Sequence, residues 1–277
     1  MNKKHIQTEK TISDFGDQWS RYQDNQGWYG STELFRDIIT PLLDAQSLQD
    51  KVVADIGSGT GRIVAMLLEA GVKHVYAIEP SEEAFRVLVK NIELMKRPND
   101  VTPIQARGEQ WKLKQPLDYV FSIGVIHHIP DPAPVVNTIY QALKPGGYFF
   151  MWLYGFEGNE IYLGIVEPLR KFTSQLPHVV LRAVVELLYW LLFVYRFICK
   201  VIPLWFHEYI TNVFWLLSPQ KRRLVIYDQL NPAYAKYYRK NEAIRLLKDA
   251  GFINVKIHHR HGYSWSVIGQ KPNVTSR

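Results

Sequence analysis

Cysteine is almost missing from these 277 residues: Cys199 stands alone. That excludes an internal disulfide framework and a cysteine-built metal cluster, and it favours a reducing, cytoplasmic setting. The opening MNKKHIQTEK has no apolar centre of the kind a secretion signal carries. Long apolar runs are scarce as well. Even in the greasiest stretch, 176–217, the longest charge-free run is 187–195. A bilayer-crossing helix needs roughly 20 apolar residues, so none is expected. Acidic residues are outnumbered, 26 Asp and Glu against 33 Lys and Arg, for a net charge of +7. A basic balance suits a phosphorylated compound, a nucleic acid or an acidic membrane face, and equally a surface of solvated lysines. Repeats and low-complexity segments are lacking. Apolar residues are not: at 47% they can fill one large domain, or a core with a substantial insertion.

The chain is organised around VVADIGSGTG at 52–61. An apolar run breaks into alternating glycines and resumes at helical spacing with Ile63, Met66 and Leu67, which reads as strand, tight turn and helix N-terminus. Gly57, Gly59 and Gly61 allow positive φ and leave room for a ligand against the peptide N–H groups. Glu79, in YAIEPS at 76–81, falls at the tip of the next parallel strand, where an acid accepts hydrogen bonds from ribose hydroxyls. The dinucleotide fingerprint G-x-G-x-x-G needs a glycine where Arg62 stands, which argues against NAD. Asp55 closes the first strand beside the loop. A carboxylate there can orient the backbone or meet an ammonium group, and it would repel a pyrophosphate.

Around this centre strands alternate with helices. Ser31 or Thr32 caps a helix striped by Leu34, Phe35, Ile38 and Ile39 and ended or bent by Pro41. Further strands are expected at 75–78, 101–105, 117–123, 148–153, 252–258 and 265–270, with helices ending near Ala70, after Ser81, at 133–143 and at 241–250. Residues 1–12 are polar and expected to fray. The aromatic-rich segment that follows holds Trp19, Tyr22, Trp28 and Tyr29, which suit a lid closing on a ligand, or simply pin a helix to the core. From 156 to 227 the alternation lapses. AVVELLYWLLFVYRFICKVIPLWF at 183–206, with Arg182, Arg196 and Lys200 beside or inside it, reads as a helical cap that lies on a membrane or closes over a greasy substrate. Packing on the core or on a second subunit are the alternatives.

The stretch 52–61 resembles motif I of class I S-adenosylmethionine-dependent methyltransferases, close to (V/L)LDxGxGxG, and Glu79 matches their motif II acid. The likeness continues through GEQWKL at 108–113, DYVFSIGVIHHIPD at 118–131 and LKPGGYFFM at 143–151, in the family's order. It is similar to the type 11/12 members that act on small molecules. The resemblance implies an α/β fold: a doubly wound, mostly parallel seven-stranded Rossmann-like sheet with an antiparallel last strand, here carrying an α-helical insertion. The expected segments are a lid and helix (1–45), a donor-binding core (46–155), a hydrophobic insertion (156–226) and a closing helix and strands (227–277). It also implies S-adenosylmethionine as donor, held by Asp55, Gly57, Ser58, Gly59, Gly61, Glu79, Pro80, Gly108, Glu109, Ser122 and Ile123. Where the family carries an acid facing adenine this chain has Arg107, so Gly108 and Glu109 inherit that contact.

The acceptor is expected to be a small, apolar or lipid-like molecule methylated on oxygen or carbon, and not a nucleic acid, since Ser122-Ile123-Gly124-Val125 stands where amino-methylating enzymes carry a D/N/S-P-P-Y/F/W element. Trp19, Tyr22, Trp28, Tyr29 and Tyr227 are the candidate acceptor contacts. His127, His128 and Asp228 are the candidate catalytic groups, against the plainer readings that the histidine pair shapes its loop and that 231–232 forms a turn. No metal is expected. Peripheral membrane contact through 176–217, or a homodimer, would account for the insertion. A non-catalytic donor-binding protein on a membrane surface and an NAD-linked oxidoreductase are the rival readings.

Overall fold

Seven stretches rich in apolar residues pair into one sheet. They are β1 (Val52–Ile56), β2 (His74–Glu79), β3 (Val101–Gln105), β4 (Leu117–Ile123), β5 (Leu143–Tyr154), β6 (Ile253–Arg260) and β7 (Ser264–Gln270). In this computed structural model, which describes residues 3–202, 207–231 and 234–273, the strand order is β3-β2-β1-β4-β5-β7-β6. β7 alone runs against its two neighbours. Side chains alternate across the sheet, so Val53, Phe121 and Phe150 enter one apolar cluster while Ala54, Val120 and Phe149 enter the other. Both faces are therefore covered, which is why the central strands read as apolar runs broken only by single polar residues such as Asp55, Asp118 and Ser122.

Among the described residues ten α-helices are numbered in chain order: α1 (Lys3–Arg21), α2 (Thr32–Ile39), α3 (Arg62–Glu69), α4 (Glu82–Glu93), α5 (Ala133–Ala142), α6 (Glu160–Thr173), α7 (His178–Cys199), α8 (His207–Asn212), α9 (Pro219–Leu230) and α10 (Lys240–Lys248). Ser31 caps α2 by accepting the Leu34 N–H, and Ser81 caps α4 by accepting the Ala84 N–H. Chain order reverses between β1 and β4, opening a crevice at their carboxyl ends. The glycine loop leaves β1 into that crevice, and Gly124 and Val125 leave β4 into it.

Three expectations need correction. Residues 3–12 are not frayed: they form the first half of α1, whose Thr11, Asp14 and Gln18 are buried. The boundary set between 226 and 227 falls inside α9, which packs against α6 and joins α7 in a third apolar cluster containing Leu181, Tyr189, Phe214 and Tyr227. The stretch judged too short to span a bilayer belongs to α7, which at 22 residues is about 33 Å long and is apolar enough by composition to cross a membrane. Glu186 and Arg196 interrupt the charge-free run without interrupting the helix. Pro232, half of the turn considered at 231–232, lies outside the described residues.

Candidate active site

The strand-to-helix turn after β1 is built from left-handed glycines: Gly57, Gly59 and Gly61 have φ of 76°, 53° and 86°. At Gly57 the requirement is double, because a Cβ would also stand 2.5 Å from Val125 Cγ2. Glu79 accepts the Gly59 N–H at 2.8 Å through Oε2 and the Ser81 N–H at 2.9 Å through Oε1. Burial raises its carboxyl to about 7, against the lowering effect of those two donors. Asp55 is fully buried behind the loop, and burial raises it to about 7 as well, opposed by the Ser58 hydroxyl and the charge of Arg62. Its Oδ2 has no hydrogen-bond partner. Two buried acids, one with an orphaned oxygen, fit a ligand that brings hydroxyl donors and positive charge.

One cavity of about 740 Å³ starts at this loop. Gly57, Ser58, Gly59, Glu79, Pro80, Gly108, Glu109 and Ile123 line its first end, together with Arg107, which is paired with Glu9 of α1. Asp55, Gly61 and Ser122 lie behind the wall, with the Ser122 hydroxyl 3.4 Å from the Ile56 carbonyl. Trp19, Trp28 and Tyr29 also line the cavity, and Trp19 packs over Gly59, whose Cβ would come within 3.2 Å of the indole nitrogen. Tyr22 and Tyr227 do not reach it. They lie beside each other, ring centroids 6.4 Å apart, and the Tyr227 hydroxyl is 2.6 Å from His178 Nδ1.

The middle of the cavity carries a polar band. Asp228 Oδ2 accepts from the Tyr154 hydroxyl at 2.6 Å and Oδ1 from Gln18 Nε2 at 3.2 Å. Burial and the Asp228 charge raise Tyr154 well above the ordinary phenol range, so it remains a donor. Gln229 accepts from the hydroxyls of Tyr162 and Tyr237 and donates to that of Tyr154. His128 lines the cavity, its Nδ1 3.0 Å from the Tyr234 carbonyl. A carbonyl only accepts, so Nδ1 carries the proton and Nε2 the lone pair. Burial lowers its pKa, opposed by the Asp228 charge and the Tyr234 bond, and the ring stays neutral at neutral pH. His127 is outside the cavity: burial lowers its pKa well below the usual range, neither nitrogen has a partner, and the ring stacks on Tyr154 at 3.8 Å.

Sequence reasoning missed Thr11 and Gln18. Both are buried on the cavity wall, each with an oxygen, Oγ1 and Oε1, that has no partner. The signal was present: Thr8, Thr11, Ile12, Phe15, Gln18 and Trp19 follow helical spacing and form one lining face of α1. A stripe half polar is invisible to a search for apolar periodicity. Lys221 was missed too. It is buried on α9, donates to the Asp24 carbonyl and lies 4.6 Å over the Tyr29 ring, fastening the insertion to the lid segment.

Beyond the polar band the wall is apolar. Ile165, Val166 and Leu169 of α6, Leu188 and Leu192 of α7, Phe214 and Leu217 continue the same cavity.

The methyltransferase-domain family matches residues 54–151, from β1 into β5. This is a class I S-adenosylmethionine-dependent methyltransferase domain. Its donor is S-adenosylmethionine, which the loop, the two acids and the first end of the cavity suit. Curated relatives include a tRNA U34 carboxymethyltransferase of Cellvibrio japonicus, 33% identical over 41% of this chain and 36% of that protein. A ubiquinone biosynthesis O-methyltransferase of Aromatoleum aromaticum is 31% identical over 44% of this chain and 55% of that protein. The chain thus spans between a third and somewhat over half the length of these two relatives. Magnesium protoporphyrin IX methyltransferase from Synechocystis, solved with bound SAH, superposes with a TM-score of 0.56, covering 98% of this chain and all of that one. At 15% identity that likeness extends the methyltransferase domain's fold to the whole chain and carries nothing further. Among the described residues no group of His, Cys, Asp or Glu is arranged to hold a metal.

Proposed function

We propose that the chain transfers the methyl group of S-adenosylmethionine to a hydroxyl on a small molecule with an apolar body. The observation that carries this reading is the single cavity that runs from the glycine loop, past Gln18, His128 and Asp228, into the apolar wall of α6 and α7. A cavity of this volume is in the range of small-molecule sites, and its lining changes from polar to apolar along its length. A flat, basic groove of the kind that tracks a nucleic acid would favour the other acceptor class.

When bound, the donor supplies an electrophilic methyl on a sulfonium, so the protein's task is largely positioning. The glycine loop, Glu79 and Asp55 hold the donor end. Tyr154 and Gln18 hold the Asp228 carboxylate in the band by donating to its two oxygens, which leaves the acceptor's single hydroxyl proton to one base. Neutral His128, its Nδ1 proton committed to Tyr234, takes the hydroxyl proton at Nε2. α1 roofs the band and keeps water out.

Methyl-labelled donor incubated with the purified chain and phenols bearing alkyl tails of increasing length, with tRNA in parallel, tests the reading. Turnover that rises with tail length is expected. Label entering tRNA and no phenol would replace the reading with a nucleic-acid acceptor.

A further inference from the structure

Two helices of the insertion expose apolar side chains that nothing among the described residues covers. On α6, Ile161, Ile165, Leu169 and Phe172 follow one helical stripe and are all exposed. On α7 the face toward α9 buries Leu181, Val185 and Tyr189, and the opposite face exposes Leu187, Trp190, Leu191, Val194, Phe197 and Ile198. Trp190 and Val194 are each 56% exposed. An ordinary surface helix turns charge outward there; a helix apolar on both faces has a second apolar phase to meet. Because α7 is packed along α9 within the third apolar cluster, it lies flat against the protein and presents its side, which is the posture of an interfacial helix.

We propose that this side of α6 and α7 docks on the surface of an anionic lipid bilayer. Charge favours that occupant. Arg182 and Lys200 share one row along one edge of the exposed α7 stripe by helical spacing, where cationic heads can reach lipid phosphates while their stems lie on apolar surface. The Lys200 ammonium sits 5.2 Å over the Phe197 ring, which holds that head at the rim of the patch, while the Arg196 guanidinium, in phase with buried Val185 and Tyr189, sits 4.7 Å over the Trp215 ring. Glu186, the acid on the same edge, is engaged by Arg223. A second copy of this chain would bring the same cationic row and the same net charge of +7 to the contact, which opposes self-association. The cavity meets the same face: Ile165 and Leu169 belong both to the exposed α6 stripe and to the cavity wall, with Leu188, Leu192 and Tyr195 of α7 on that wall. An apolar acceptor therefore passes from the lipid to the polar band without crossing water. This deepens the acceptor reading above and rests on it.

The test uses the full chain with vesicles of phosphatidylcholine alone and of phosphatidylcholine mixed with phosphatidylglycerol. Co-sedimentation with the mixed vesicles, weaker at high salt and on the neutral ones, is expected. Leu191→Glu with Val194→Glu changes two exposed positions outside the cavity lining and is expected to lower the partition at least about tenfold. Calorimetric donor binding and the circular dichroism of that variant stay as in the parent. Parent protein that remains in the supernatant of the mixed vesicles overturns the proposal, and so does equal pelleting by parent and variant. A parent that is dimeric by light scattering, is made monomeric by the same pair of changes and ignores vesicles assigns the face to a second copy instead. Donor binding in the same samples keeps the outcomes separate: its loss with pelleting intact would strike the methyl-transfer reading and leave the docking face standing.

Discussion

The Gly59 amide donates to Glu79 Oε2 over 2.8 Å, while the other oxygen of that carboxylate takes the N–H of Ser81. One side chain thus ties the crest of the glycine loop to the N-cap of α4, and it does so from the cavity wall. Glu79→Gln keeps the shape and removes the charge. Donor affinity is expected to fall by about tenfold or more, the worth of a charge-assisted hydrogen bond, with the fold retained. Titration calorimetry beside thermal unfolding checks both halves. Unchanged affinity would detach Glu79 from the donor.

Gly57 fails differently. Gly57→Ala adds a Cβ at φ of 76° and drives it into Val125, 2.5 Å away. A loss of about 1–3 kcal/mol is expected from the backbone alone. Adding Val125→Ala removes the clash and leaves the dihedral, so only part of the stability should return. Complete recovery in denaturant melts would show that the dihedral carries no strain.

Asp55 and Glu79 both sit near pKa 7 because burial disfavours their charged forms. Raised folded-state values mean that the free protein gains stability from these groups below their ordinary carboxyl range and loses it as pH rises toward about 7. His127 and His128 act oppositely: lowered values withdraw stability as pH falls below about 6.5. A cationic donor favours the carboxylates, so binding near pH 6 should release protons and affinity should climb up to about 7 and then level. Binding heats measured in two buffers of different ionisation enthalpy count those protons, and Glu79→Gln should lower the count. A count of zero in the parent would refute the assignment.

The two histidines should part company. His127→Phe retains a flat ring against Tyr154 and gives up no hydrogen bond, so kcat is expected within about threefold of the parent. His128→Ala removes the base and should lower kcat by roughly a hundredfold. Single-turnover rates with a methyl-accepting phenol separate them, and comparable losses from both changes would return the pair to a structural role.

Leu192→Trp narrows the apolar end of the cavity, beyond the polar band. KM for long-tailed acceptors should rise by about tenfold or more while short-tailed ones keep theirs, since roughly 0.8 kcal/mol rides on each buried methylene. A tail-independent effect would place the acceptor elsewhere.

Much of this was legible in the chain. β4 occupies 117–123 as its pattern indicates, and Ser31 and Ser81 cap α2 and α4, because doubly covered strands and capped helices leave local signals. The glycine loop and Glu79 were legible because positive φ and a strand-tip acid are sequence-local demands. α1 was not, since its inner face is half polar and packs on a cavity wall, not on a core. Trp19 shares the helical spacing of that face, but the placement of Trp28 in the cavity and of Tyr22 outside it depends on the turn after α1, which no spacing encodes. Nor does spacing say that Asp228 meets Tyr154 and Gln18, residues 74 and 210 positions away.

α1 touches both halves of the reaction chamber: Trp19 lies over Gly59, and one turn earlier Phe15 packs on His128 with ring centroids 4.7 Å apart. One helix is therefore a shared partition, and steadying it for one guest steadies it for the other. Thermodynamic linkage makes such help mutual, so whatever factor the donor adds to acceptor affinity, the acceptor must return to the donor. Paired titrations, each guest with and without the other, should give that same factor twice.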